Sequence, residues 1–161
     1  MIVKKWMTPD PITINATQTL ADARQVFQQH SFKRLPVVDN KGQLVGIISD
    51  RDMKEAAPSD ASTLSVYELN YLNDKIRVSE IMTSPVLTVE TEDSVEKAAE
   101  IMHERKVSGL PVFENGKLAG IITVGNVLEA FITLAKVSQP QIPGLAALSQ
   151  EEYQAGSSAS N

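Results

Sequence analysis

Leu44-Val45-Gly46-Ile47-Ile48-Ser49 returns 74 positions later as Leu118-Ala119-Gly120-Ile121-Ile122-Thr123, and this recurrence decides how the chain is read. Each stretch is a short apolar run with glycine third and a hydroxyl residue last, as in a buried strand that ends at a polar position. Upstream, a shift of 75 maps Leu35-Pro36-Val37 onto Leu110-Pro111-Val112, Ala23 onto Ala98, Thr13 onto Thr88, and Met7-Thr8 onto Met82-Thr83. Downstream, Glu55-Ala56 falls on Glu129-Ala130. The single deletion lies where Asn40-Lys41-Gly42-Gln43 stands against Asn115-Gly116-Lys117. Asn-Gly between two apolar runs signals a hairpin, so the deletion belongs to a turn.

Both copies give the same local reading. A short strand, Ile12 to Ile14 or Val86 to Val89, precedes a helix that starts at Thr19 or Ser94. Leu20, Ala23, Val26 and Phe27 form an apolar stripe at helical spacing, matched by Val95, Ala98, Ile101 and Met102, and such a stripe is core. Two strands follow, Leu35 to Val38 and Leu44 to Ser49, or Leu110 to Phe113 and Leu118 to Thr123. A second helix begins near Asp50 or Val124, and the later one continues through Val127, Leu128, Phe131, Leu134 and Ala135 to stop before Pro140. The unit is therefore βαββα, used twice in an α+β fold.

Organisation follows from the repeat. Residues 1–57 form the first copy, 58–75 a linker, 76–137 the second copy and 138–161 a tail. Within the linker, Ser65-Val66-Tyr67-Glu68 has the form of a capping box, opening a helix with Val66, Leu69 and Leu72 on one face. The tail turns to Ala, Ser, Gln and Gly after Pro143 and cannot bury enough apolar surface to order itself.

Composition removes whole classes of function. With no cysteine and only His30 and His103 as imidazoles, thiol catalysis, disulfides and a thiolate metal site are excluded, and no metal is expected. A net charge of −5 without a basic block argues against nucleic acid. No apolar run approaches the roughly twenty residues of a membrane helix, and Met1-Ile2-Val3-Lys4-Lys5-Trp6 is not the start of a signal peptide. The expectation is a cytoplasmic protein with no membrane contact.

Tandem βαββα units with Met-Thr near the start, Leu-Pro-Val on the middle strand and Gly-Ile-Ile-Ser/Thr on the last resemble a pair of CBS domains, the Bateman module. The resemblance covers Met7 to Ala130. The linker Thr63-Leu64-Ser65-Val66-Tyr67-Glu68-Leu69-Asn70-Tyr71-Leu72 further resembles bacterial CBS-pair proteins of the acetoin-utilisation B type; the ACT domain of longer members is not expected in this chain. The resemblance implies two repeats packed with pseudo-two-fold symmetry, each able to contribute half of a nucleotide pocket.

It also implies site residues. An acid in a Ser/Thr-x-x-Asp motif holds ribose in this family, and Ser49-Asp50-Arg51-Asp52 matches it, giving Asp52 the ribose and Ser49 a hydroxyl near sugar or phosphate. A carboxylate suits this role, accepting from both vicinal hydroxyls. The same four residues also spell an ordinary capping box for the following helix, and one residue could serve both ends. In the second copy, Thr123-Val124-Gly125-Asn126 puts a neutral amide where the acid should be. Lys33, Arg34 and Arg51 are candidate phosphate cations, against Ser108, Gly109 and Gly125, so the first pocket is expected to bind more tightly. Adenine is expected between Pro11, Ile12, Leu35 and Pro36, with Val86, Leu110 and Pro111 around the other pocket.

The resulting expectation is a regulatory module without catalysis. It would need no cofactor and would bind AMP, ADP, ATP or another adenosine compound, acting as a homodimer or on a regulated protein partner. The alternative is a dimerisation module with empty, degenerate pockets, for which Asn126 is the best support. Asp50 and Asp52 have no third ligand or nucleophile beside them, so an acid/base or metal site is not expected there.

Overall fold

The computed structural model describes residues 1–56, 68, 71 and 74–138. The expected linker helix around Val66, Leu69 and Leu72 and the tail after Pro143 lie outside them. Residues Met1–Ala130 form one compact unit holding the first copy and the second as far as Ala130, and a second unit begins at Phe131.

A 3₁₀ turn at Val3–Lys5 leads into β1 (Thr8–Pro9), followed by β2 (Ile14–Asn15), α1 (Leu20–Gln29), β3 (Arg34–Val38), β4 (Leu44–Ser49) and α2 (Asp50–Ala56). The second copy runs through α3 (Val78–Ile81), β5 (Val89–Glu90), α4 (Val95–Arg105), β6 (Gly109–Glu114), β7 (Lys117–Thr123) and α5 (Val124–Ser138). The βαββα reading therefore holds in both copies, with the first strands displaced slightly toward the helices. In each copy the first strand lies parallel to the second, which pairs antiparallel with the third.

Local chemistry explains the boundaries. Thr19 caps α1 through a reciprocal box in which its hydroxyl accepts from Asp22 N while Asp22 accepts from Thr19 N. Ser94 caps α4 by accepting from Lys97 N at 3.0 Å. In the second hairpin Asn115 and Gly116 both take positive φ, 51° and 76°, between the paired residues Glu114 and Lys117. That is the two-residue primed turn that Asn-Gly favours. The longer first hairpin is held by Asp39, whose carboxylate accepts from Lys41 N and Gln43 N.

The helical stripes enter two cores, one around Leu20, Ala23, Leu35, Val37 and Ile48 and the other around Val95, Ala98, Leu110, Val112 and Ile122. Each core also receives a residue from the other copy. Val3 is buried in the second core and Val78 in the first. Likewise Thr8 pairs with Ile121 on β7 while Thr83 bridges Ile47 on β4. The leading Met-Thr segment of each repeat thus lies along the last strand of the other, so the boundaries in sequence and in space differ.

This exchange accounts for the repeated glycine. A Cβ on Gly120 would sit 2.8 Å from the Thr8 carbonyl oxygen and 2.6 Å from the Met7 sulfur, and one on Gly46 would collide with the Met82 side chain. Met7-Thr8 and Gly120, like Met82-Thr83 and Gly46, are two halves of one contact.

Candidate functional site

Two cavities open between the repeats, each walled by the C-terminal end of a last strand and the helix that follows it. One, of about 440 Å³, is lined by Ser49, Asp50, Arg51 and Asp52 from the β4–α2 junction together with Thr83 and Lys106 to Gly109 from the second copy. The other, of about 650 Å³, is lined by Thr123, Val124, Gly125 and Asn126 from the β7–α5 junction together with Thr8, Asp10, Pro11, Ile12 and residues 30–34 from the first copy. Lys33, Arg34 and Ser108 line both.

The capping box at Ser49 is formed. Asp52 Oδ2 accepts from Ser49 N and from Ser49 Oγ, each at 2.6 Å, while Asp52 N donates back to Ser49 Oγ at 3.2 Å. The cap consumes one carboxylate oxygen and the serine hydroxyl. Among the described residues no hydrogen bond engages Asp52 Oδ1, and Asp52 lines the cavity, so the capped carboxylate keeps one acceptor oxygen free. The Asn126 box repeats this geometry: Asn126 Oδ1 accepts from Thr123 N at 2.9 Å and Thr123 Oγ1 at 2.8 Å. Its remaining polar atom is the Nδ2 amide, a donor. The same local fold therefore offers an acceptor in one cavity and a donor in the other.

The cations differ in how they are held. Arg34 Nη2 donates to Ser108 Oγ, and the Arg34 side chain lies over Gly109, where an added Cβ would come within 2.9 Å of Arg34 Cδ. Burial lowers the Arg34 pKa from its ordinary value, and the Asp52 charge opposes that effect. Arg51 is paired instead with Glu55 at 2.8 Å, with its side chain 85% exposed, and this pairing raises its pKa. Lys54 pairs with Asp50 at 2.7 Å. Surface pairs of this kind are weak, so Arg51 is available at little cost.

Several expected adenine contacts fall elsewhere. Leu35, Pro36, Leu110 and Pro111 are buried in the strand cores and line neither cavity, because the middle strand of each three-stranded set is covered on both faces. Val86 belongs to a separate groove with Leu44, Val45 and Pro85. Pro11 and Ile12 do line a cavity, but it is the one built by Thr123 and Asn126, because the exchange carries them across to the other repeat. Lys33 and Arg34 likewise do not belong to the first pocket alone.

The sequence reading missed Thr8, Asp10, His30 and Phe32 in the larger cavity and Thr83, Lys106 and Val107 in the smaller. His30 stacks on Phe32 with ring centroids 4.9 Å apart, giving the larger cavity an aromatic wall. Their signal was present: the repeated Met-Thr marks the segment that crosses over, and Thr8 and Thr83 belong to it. No group of His, Cys, Asp and Glu among the described residues could hold a metal ion.

Fold and site together define a two-repeat module with paired inter-repeat clefts. The family model for the CBS domain matches residues 3–59 and again 78–133, and the chain belongs to the CBS-domain family. A CBS domain-containing protein of Dictyostelium discoideum is 37% identical over 145 residues, covering 88% of this chain and 98% of that protein. Inosine-5'-monophosphate dehydrogenase of Helicobacter pylori is 32% identical over 120 residues, or 73% of this chain, but the match spans only 22% of that enzyme.

Solved structures agree. CBSX2 in complex with AMP superposes with a TM-score of 0.67 at 30% identity, covering 83% of this chain and 98% of CBSX2. The CBS domain pair of protein MJ0100, in complex with 5'-methylthioadenosine and S-adenosylmethionine, gives 0.69 at 28% identity over 83% and 97%. An acetoin-utilization protein (AcuB) from Vibrio cholerae gives 0.67 at 29% over 87% and 98%. No helix among the described residues is long and apolar enough to cross a membrane.

Proposed function

We propose that this chain is a cytoplasmic regulatory module that binds an adenine nucleotide in the cleft built by Ser49 and Asp52 and performs no catalysis itself. The observation that carries this reading is the divided carboxylate of Asp52. One oxygen is pinned by Ser49, the other makes no hydrogen bond among the described residues, and Arg34, Lys33 and Lys106 line the same cleft. An acceptor for sugar hydroxyls next to cations for phosphate is the chemistry a nucleoside phosphate requires. The adenosine ligands of CBSX2 and of the MJ0100 domain pair support the same class. Asn126 offers a donor in place of the acid, so the second cleft binds nucleotide more weakly.

Such a ligand regulates only by preferring one arrangement of the protein over another. The output surface in this reading is a homodimer. Phe131 and Leu134, spaced at i and i+3 on α5, are both exposed. A thermal-shift series with AMP, ADP, ATP, S-adenosylmethionine and, as a control, GMP tests the function. At a hundred times its dissociation constant a ligand stabilises the fold by about 2.7 kcal/mol. A shift with at least one adenosine compound and none with GMP is the expected result; no shift with any adenosine compound would return the chain to the alternative of empty, structural clefts.

A further inference from the structure

The two clefts are related by the repeat, yet their cations are not duplicated. Lys33 and Arg34 stand at the common wall of both cavities, whereas the repeat-related residues, Ser108 and Gly109, carry no charge. Arg34 leans across the repeat boundary into the space that Gly109 leaves by having no side chain, donates to Ser108, and feels the charge of Asp52. A side chain at position 109 would occupy that space. We infer that Lys33 and Arg34 form one shared anion cradle, which lets the module hold a single phosphorylated ligand at full strength: occupancy of the Asp52 cleft takes the cradle and weakens phosphate binding in the Asn126 cleft.

This rests on the nucleotide reading above and adds regulation to it. Once Arg34 is committed to a phosphate on the Asp52 side, a second phosphate must bind without that charge-assisted hydrogen bond and against the charge of the first. The lost bond alone separates the two binding steps by roughly tenfold or more. The module would then count one anionic ligand per chain despite having two clefts.

The test is an AMP titration of the whole chain followed by amide NMR, reading Ser49 and Asp52 for one cleft and Thr123 and Asn126 for the other. In the parent the Ser49 and Asp52 signals should saturate first, with the others following at roughly tenfold higher concentration or more. Ser108→Lys, at an exposed position on the wall common to both cavities, supplies a second cation and should narrow the gap by strengthening the later step more than the earlier one. Arg34→Gln should narrow the gap from the other side by weakening the earlier step, leaving the part that the difference between Asp52 and Asn126 sets. Equal saturation of both sets in the parent, or a gap that neither variant changes, would overturn the shared cradle while leaving nucleotide binding standing. No AMP response in either set would overturn the nucleotide reading itself and the cradle with it.

Discussion

Replacing Asp52 by Asn should separate its two roles, because the chain already contains the answer for one of them. At the repeat-related position Asn126 makes the same capping box, accepting from Thr123 N and Oγ1 at 2.9 and 2.8 Å. Asp52→Asn should therefore keep the cap and leave apo stability close to the parent, whereas Asp52→Ala should lose about 1 kcal/mol with the cap. In the cleft, however, both variants lose the open carboxylate oxygen. A hydrogen bond to a charged group is worth about 1.5–3 kcal/mol, so ribose recognition should fall roughly ten- to over a hundredfold. Because removing a negative charge beside Arg34 also changes phosphate affinity, the informative quantity is the ratio of AMP to 2'-deoxy-AMP affinity by titration calorimetry. That ratio should be large in the parent and collapse toward one in Asp52→Asn. An unchanged ratio would refute the assignment of Asp52 Oδ1 to ribose; equal losses of apo stability in the two variants would refute the division of the carboxylate into a capping and a binding oxygen.

The segment exchange predicts that Gly120→Ala destabilises the fold by about 1–3 kcal/mol in urea unfolding, since its Cβ meets the backbone carbonyl of Thr8. Gly46→Ala should cost less, because there the obstacle is the flexible side chain of Met82; the reverse order would argue against the contact as described. Lys4 donates to Glu114 at 2.5 Å, holding the Glu114 carboxyl below its usual range and raising the Lys4 pKa. The Glu114 share of stability is thus present above the ordinary carboxylate pKa and is lost as pH falls through its depressed value, so the difference in unfolding free energy between the parent and Lys4→Met should shrink between neutral pH and acid. On the dimer, light scattering should return twice the chain mass for the parent and a shift toward one chain for Phe131→Glu; a monomeric parent at high concentration would exclude it.

Much of this fold was legible because two copies of one pattern check each other. Strand ends at Ser49 and Thr123, helix caps at Thr19 and Ser94, and the Asn115-Gly116 turn are all fixed by chemistry within a few residues, which a linear reading captures. What it could not capture is partner choice across the repeats. Nothing local to Met7-Thr8 says that it lies on β7 rather than β4, and so nothing in the sequence puts Pro11 and Ile12 in the cleft of Thr123 and Asn126. Leu35 and Pro36 show the same limit from another side. Their apolar character is equally suited to a ligand slot or a covered middle strand, and only three-dimensional packing distinguishes these. For Asp52, the Ser-x-x-Asp spacing announced a cap and an acid together, but that the cap uses a single oxygen and leaves the other open is a matter of geometry.

Nucleotide binding at Asp52 is decided by a crystal structure of the chain grown with AMP. Nucleotide should lie in the cleft between the β4–α2 junction and Lys106 to Gly109, with ribose hydroxyls within hydrogen-bond distance of Asp52 Oδ1, the Ser49 box intact and Arg34 directed at the phosphate. AMP bound only in the Asn126 cleft, or elsewhere with Asp52 Oδ1 untouched, would contradict it.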